Sequence, residues 1–244
     1  VRVAVYSGDD ASPVWAFVDG NGTNGINKDA SQGGSQPQLT VFGGRLYATW
    51  AEYNGTADQV RVAVYSGDDA SPSWTFVDGG GANGINKDAS QPTEGPQLTA
   101  FGGRLYATWQ EWNGTAAQVR VAVYSGDDAS PSWTFVDGGG GDGINKDAGQ
   151  NAREPQLTVF GGRLYATWQE WNGTALQVRV AVYSGDDASP SWTFVDGGGT
   201  DGLNKDPARN AGGAQLTAFG DGLYAAWSEE TGAGTVQNCV AVGR

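Results

Sequence analysis

Val60-Arg61-Val62-Ala63-Val64-Tyr65 is a six-residue run with Val at every second position, and the same run stands at Val1, Val119 and Val178. Alternation with β-branched enrichment predicts a strand. The recurrence interval is 59 residues each time, and a degraded fifth copy, Cys239-Val240-Ala241-Val242, follows one inserted residue late. Aligning 60–118 with 119–177 gives 9 differences, so 50 of 59 positions match. The 244 residues therefore divide into units 1–59, 60–118, 119–177 and 178–236 with a terminal strand at 237–244. A repeat this exact governs every later inference, because each unit must pack against copies of itself.

Working outward from Val60, a polar turn (Ser66 to Ser73) leads to a short strand, Trp74-Thr75-Phe76-Val77. A Gly/Asn-rich crossover follows from Asp78 to Gly95, then the strand Gln97–Phe101. Gly102-Gly103 marks a tight hairpin of the kind that needs positive φ. The last strand runs from Arg104 to Gln110 and closes on Asn113-Gly114. No segment carries a 3.6-residue apolar stripe of helical length, so the class is all-β.

Four short, aromatic-rich strands per tandem unit are the arithmetic of a β-propeller blade. The spatial order predicted from the innermost strand outward is Gln97–Phe101, Arg104–Gln110, Val119–Tyr124 and Trp133–Val136. The chain then holds 17 strands, one more than four blades of four antiparallel strands require. The expectation is a single four-bladed propeller domain with interleaved N- and C-terminal closure, Trp15–Val18 completing the last blade. A larger ring, a ring completed by a second chain, and a β-solenoid are the alternatives. Self-association through the extra strand is expected on the same grounds, since an unpaired strand edge invites pairing.

Composition narrows the function. Glycine accounts for 40 residues without a G-X-Y period, which excludes collagen, and ten Trp with eight Phe argue against disorder. There is no run of 18 apolar residues to cross a membrane. Lys and Arg total 14 against 27 Asp and Glu, a formal charge of -13, so a nucleic-acid backbone is not an expected partner. With no histidine, a His-based triad or a His-ligated metal is excluded, and the lone Cys239 cannot form an intrachain disulfide. Acidity and the lack of a cysteine framework go with an extracellular or cell-surface setting.

Three features recur in register. Trp50, Trp109, Trp168 and Trp227, with Trp15, Trp74, Trp133 and Trp192, read as packing between blades. Trp112 and Trp171, whose counterparts are Tyr53 and Glu230, differ: they close a strand beside Asn-Gly. With Asn113, Asn172, Glu111 and Glu170 they form a candidate glycan site, the ring stacking on a sugar face while polar groups take hydroxyls. The loop Asp19 to Asp29 is loosely similar to EF-hand and dockerin calcium loops, with Asp19, Asn21, Asn27 and Asp29 as candidate Ca2+ ligands. Its glycine comes one place late and its terminal Asp falls at position 11 instead of 12. The competing reading is a crossover tied down by Asn86-Lys87-Asp88.

The third feature is Ser66-Gly67-Asp68-Asp69-Ala70-Ser71-Pro72-Ser73-Trp74. It resembles the Asp-box of sialidase-type propellers, a hairpin between third and outermost strands. Ser66, Asp68 and Trp74 match, as do Ser125, Asp127 and Trp133, and Ser184, Asp186 and Trp192. One extra residue before the Trp, and Ala70 in place of Gly, depart from it. The resemblance implies a structural turn and a propeller. Sialidase-like catalysis would further want three converging arginines and a Tyr nucleophile, whereas Arg61, Arg120 and Arg179 recur around the ring.

Near-identical units suit multivalent binding better than an active site, which needs different residues in different roles. The expected function is thus a non-enzymatic, lectin-like module for glycans or a glycoconjugate surface, with no catalytic residues and no cofactor beyond the Ca2+ reading. A structural or protein-interaction repeat is the alternative, and a glycosidase-like enzyme the more distant one. The stretches 33–36, 92–95, 151–154 and 209–213 break the symmetry just before the innermost strands, either shaping one rim or tolerating change as loop.

Overall fold

The computed structural model describes residues 1–20, 22–79, 81–138, 140–197, 199–232 and 234–243. The first sheet is a two-stranded hairpin, β1 (Ala4–Tyr6) with β2 (Trp15–Phe17). Three four-stranded antiparallel sheets follow. They are β3 (Gly34–Phe42), β4 (Arg45–Tyr53), β5 (Asp58–Tyr65) and β6 (Trp74–Phe76); β7 (Thr93–Phe101), β8 (Arg104–Trp112), β9 (Ala117–Tyr124) and β10 (Trp133–Phe135); and β11 (Ala152–Phe160), β12 (Arg163–Trp171), β13 (Leu176–Tyr183) and β14 (Trp192–Phe194). The last sheet has three strands, β15 (Ala211–Phe219), β16 (Gly222–Glu230) and β17 (Val236–Gly243).

Within each full sheet the strands lie in the order the repeat predicts, and the inner strands β3, β7, β11 and β15 pack successively against one another. Thr40, Thr99 and Thr158 stitch them together, each hydroxyl donating to a leucine carbonyl (Leu98, Leu157, Leu216) on the next inner strand. The arrangement is propeller-like.

The blade count and the closure differ from expectation. The described residues form five sheets, and β2 pairs with β1, not with β17. The expected interleaved closure therefore does not form. Uncovered side chains mark the two ends: Val240 in β17 is 72% exposed, whereas its counterpart Val180 in β13 is 4% exposed. The reason lies in sheet packing. Val3 and Val18, flanking the first sheet, and Ile26 of the crossover after it cluster with Trp50, Ala63 and Tyr65 of the second sheet, which holds the N-terminal hairpin on β4 and β5.

Trp50, Trp109 and Trp168 are fully buried, as are Arg61, Arg120 and Arg179. Trp109 meets Phe135 edge-on at 5.8 Å between ring centroids. Each arginine pairs with a buried aspartate (Arg120 Nη1 to Asp137 Oδ2, 3.3 Å) and donates its other terminal nitrogen to a loop carbonyl, Gly141 O at 2.6 Å. A charge buried this deeply holds position through its partners, and removing one partner would strand the other. Among the described residues no helix is long and apolar enough to cross a membrane.

Candidate active site

Every inner strand carries a β-bulge in the same place, at Ser35/Gln38, Glu94/Gln97, Arg153/Gln156 and Gly212/Gln215. A bulge leaves residues outside the ladder and re-aims their side chains, which is why bulges gather near sites. The residue at the bend has positive φ throughout: Gln36 (52°), Gly95 (61°), Glu154 (54°) and Gly213 (62°). Two of the four are glycine, the residue this conformation favours. Gln36 and Glu154 hold it with a side chain present, at a cost of about 1 to 3 kcal/mol each.

This is also where the repeat loses its symmetry. Position for position the bulges read Ser35-Gln36, Glu94-Gly95, Arg153-Glu154 and Gly212-Gly213. Gln36 reaches across to the neighbouring bulge, its Oε1 accepting from Gly95 N at 2.7 Å. The bulges of β3 and β7 are thus one side chain apart, and Glu94 and Glu154 are exposed at the bulges of the neighbouring strands β7 and β11. The Glu154 carboxylate accepts a hydrogen bond from Gln169 Nε2, and Gln169 Oε1 in turn accepts from Arg153 Nε at 3.3 Å. The buried Gln169 is thereby oriented to hold one carboxylate of the rim in place.

The aromatic candidates reach the same end of the blades. Trp112 N donates to Pro92 O at 3.2 Å and Trp171 N to Asn151 O at 3.0 Å, fixing the ends of β8 and β12 beside the bulges. Tyr53 and Trp112 are exposed at 40% and 36%, and Trp171 is half-buried.

The other candidates have structural occupations. Glu111 is buried, with Oε2 accepting from Trp109 Nε1 (2.8 Å) and Lys87 N (3.0 Å) and Oε1 from Asp88 N (2.9 Å). Glu170 repeats this with Trp168, Lys146 and Asp147. These carboxylates clamp the crossover to the second strand beneath the rim. Asn86 completes the clamp, its Oδ1 accepting from Val60 N and its Nδ2 donating to Asp58 O and Gln91 O. Beside it Gly84 (φ 54°) could not carry a side chain, since a Cβ would come within 2.3 Å of Val60 O. Asn113 and Asn172 each accept two amides of their own turn.

In the calcium reading, Asp19 Oδ2 accepts from Arg2 (2.9 Å), Asn27 Oδ1 from the N-terminal ammonium (2.5 Å), and Asp29 Oδ1 from Ser31 N and Oγ. Asn21 lies outside the described residues. Among the described residues no group of three or more Asp, Glu or Cys is arranged to hold a metal ion. The Ser-Asp-Trp turns are internally bonded: Ser66 Oγ accepts from Asp68 N and Ser73 N, and Asp68 Oδ1 from Ala70 N and Ser71 N. The same bonds recur at Ser125 and Asp127 and at Ser184 and Asp186.

Burial raises the carboxyl pKa of Glu111 and Glu170, outweighing the three N–H donors and the nearby arginine. A raised acid pKa means the folded state binds the proton more tightly than the unfolded chain. The contribution of these groups to stability is therefore fully present below the ordinary Glu value of about 4.3 and declines as pH rises through their folded values. In a Tm series across that window, the double variant Glu111→Gln, Glu170→Gln is expected to show a flatter decline with rising pH than the wild type.

No family model matches the chain, and no curated protein matches it. Solved structures do. An endo-arabinase from Bacteroides thetaiotaomicron VPI-5482 superposes with a TM-score of 0.55 at 14% identity, over 100% of this chain and 86% of that one. Penicillium chrysogenum α-L-arabinanase, complexed with arabinobiose, gives 0.55 at 15% identity over 99% and 67%. A family 117 glycoside hydrolase from Zobellia galactanivorans gives 0.51 at 12% identity over 97% and 74%.

The propeller-like fold resembles that of these glycoside hydrolases. This corrects the sialidase-type assignment: the Ser-Asp-Trp hairpin is a turn held by its own hydrogen bonds, and the whole-chain superposition falls on other propellers. It also corrects the lectin-like, non-enzymatic expectation, because the matched propellers are glycoside hydrolases. The symmetry behind that expectation is incomplete, since the units differ at the bulges.

Proposed function

We propose that the chain is a carbohydrate-active, glycosidase-like propeller that works at the rim formed by the inner-strand bulges. The observation that carries the reading is Glu154, a non-glycine residue held at φ 54° where two of the four units use glycine. Strain persists where the surroundings over-determine it, and here it holds a carboxylate at the bulge of the strand next to the one that carries Glu94. Hydrolysis of a glycosidic bond needs two carboxyl groups in different roles, one protonating the leaving oxygen and one acting as base or nucleophile. Glu154, held by Gln169, takes the base or nucleophile role in this reading, and Glu94 on the neighbouring strand takes the proton-donor role. Trp112 and Trp171 offer faces for sugar rings beside the bond to be cleaved.

The substrates to try first are α-L-arabinofuranosides and arabinan, since two of the matched structures are described as an arabinanase and an endo-arabinase. A polymeric substrate of this kind goes with an extracellular setting. The test is release of reducing ends from arabinan and from arabino-oligosaccharides. Release above the level of a Glu94→Gln, Glu154→Gln double variant supports the reading, and no release from any arabinose-containing or related plant glycan overturns it.

The strained backbone gives an independent check. Glu154→Gly, which installs the residue of the Gly95 and Gly213 positions, is expected to stabilise the fold by about 1 kcal/mol through relief of strain. For a chain of this length that is a rise of roughly 2 to 4 °C in Tm. A loss of stability would mean that the Glu154 conformation is not strained.

A further inference from the structure

The fourth unit departs from the others at two places that lie close together in space. At the strand end where Tyr53, Trp112 and Trp171 stand it has Glu230, and at the bulge where Ser35, Glu94 and Arg153 stand it has Gly212. Relative to the third unit, an aromatic ring has become a carboxylate and an arginine has lost its side chain. A cavity of about 270 Å³ lies there, between the β11–β14 and β15–β17 sheets. Its lining includes Arg153, Leu176, Asn210, Gly212, Ser228 and Glu230. Small-molecule sites start at about 300 Å³, so the space suits a single ring residue and not a longer segment of chain.

The polar groups of the cavity are placed from both sheets. From β11, Arg153 bonds through Nε alone among the described residues, to Gln169 Oε1 at 3.3 Å. From β16, Glu230 accepts from Asn210 Nδ2 at Oε2 (3.0 Å), and Asn210 is itself fixed by Leu176 N at 3.0 Å. Both Arg153 and Glu230 are exposed, and no ion pair joins them among the described residues. Gly212 abuts the buried Gln169, since a Cβ there would lie 3.6 Å from Gln169 Oε1. Gln169 is also the donor to Glu154, so cavity and carboxylate share one support.

We propose that this cavity takes one neutral sugar residue of the substrate, beside the bond cleaved at Glu154, and that Glu230 and Arg153 select it by its hydroxyls. The inference rests on the glycosidase reading. Glu230 Oε1 accepts from one hydroxyl, and the terminal nitrogens of Arg153 donate to a hydroxyl or ring oxygen from the other sheet. Trp112 and Trp171 stack on a ring face whatever hydroxyls it carries. A site that hydrogen-bonds a hydroxyl instead rejects the analogue without it. An acidic sugar would bring its carboxylate against Glu230, and like charges set together are costly, so the selected residue is uncharged.

The test is calorimetric binding of arabinotriose to the Glu94→Gln, Glu154→Gln double variant, alone and with Glu230→Ala or Glu230→Trp added. A galacturonate trimer is titrated into the unaltered chain. Glu230→Ala is expected to weaken arabinotriose binding by roughly 10- to 100-fold, the range for hydrogen bonds to a charged group. Glu230→Trp, which installs the residue of the Trp171 position, fills the cavity and is expected to weaken binding as much with unchanged circular dichroism. In the otherwise unaltered chain both changes are expected to raise KM on arabinan and to move kcat only a few-fold. Arabinan hydrolysis with binding and KM unmoved by either change overturns the sugar site and leaves the glycosidase reading standing. Arabinotriose binding that depends on Glu230, without hydrolysis by the wild type, upholds the sugar site and overturns the cleavage beside it. No binding of arabinotriose overturns the site, and equal affinity for the galacturonate trimer overturns the selection of a neutral residue.

Discussion

Glu154→Gln is expected to lower turnover on arabinan-type substrates by at least about 10²-fold, with KM changing only a few-fold. Positioned acid–base groups contribute roughly 10² to 10⁴ in rate. The amide keeps the size of the side chain and its reach to Gln169, so the loss isolates the charge. The signature of a catalytic group is a fall in kcat with KM held, because the missing interaction is one made in the transition state. A mainly structural role would instead lower Tm and leave kcat alone. Since relief of strain predicts that Glu154→Gly is more stable, stability and activity are expected to move in opposite directions at this residue. That divergence is the pattern of a site kept strained for function.

Trp109→Ala is expected to destabilise the fold by about 3 to 5 kcal/mol, read from denaturant or thermal unfolding. Trp109 is fully buried, packed on Phe135 of its own sheet and clustered with Val60, Val62 and Val77 of the preceding one, so its removal leaves a cavity between two sheets. It also withdraws the indole donor from Glu111, a buried carboxylate that clamps the crossover at Lys87 and Asp88. The two losses act together, because an unsatisfied buried acceptor adds its own desolvation cost. Trp15→Ala is the contrasting control. The same residue type at an exposed position is expected to cost little stability.

The repeat made the local architecture legible. A unit of Val-x-Val-x-Val, Trp-x-Phe, Gln-Leu-Thr and Arg-Leu-Tyr with glycine hairpins between them has one sensible strand order, and the sheets adopt it. The Ser-Asp turns and the Asn86 clamp were also readable, since these side chains bond amides two or three residues away or within their own loop. The candidate site was half legible. Residues 92–95 and 151–154 stood out as a break in symmetry, yet the sequence could not tell rim from tolerant loop. Glu111 and Glu170 looked like ligand-facing carboxylates from their place beside a tryptophan, and burial assigns them to the clamp. One residue along a strand separates a buried face from an exposed one, and register across sheets decides which is which.

From the sequence alone came an all-β chain, four near-copies of a four-strand unit, and a count of seventeen strands. Strand identity is local, written in alternation and turn residues. The tertiary structure decided what the count means. Five sheets make seventeen strands three short of five fours, where the sequence suggested one too many for four. It also put Glu154 at a bulge with positive φ and left Trp15 and Val195 uncovered at opposite ends. These depend on the angle at which one packed sheet meets the next, a sum over many side chains far apart in the chain that no single unit contains.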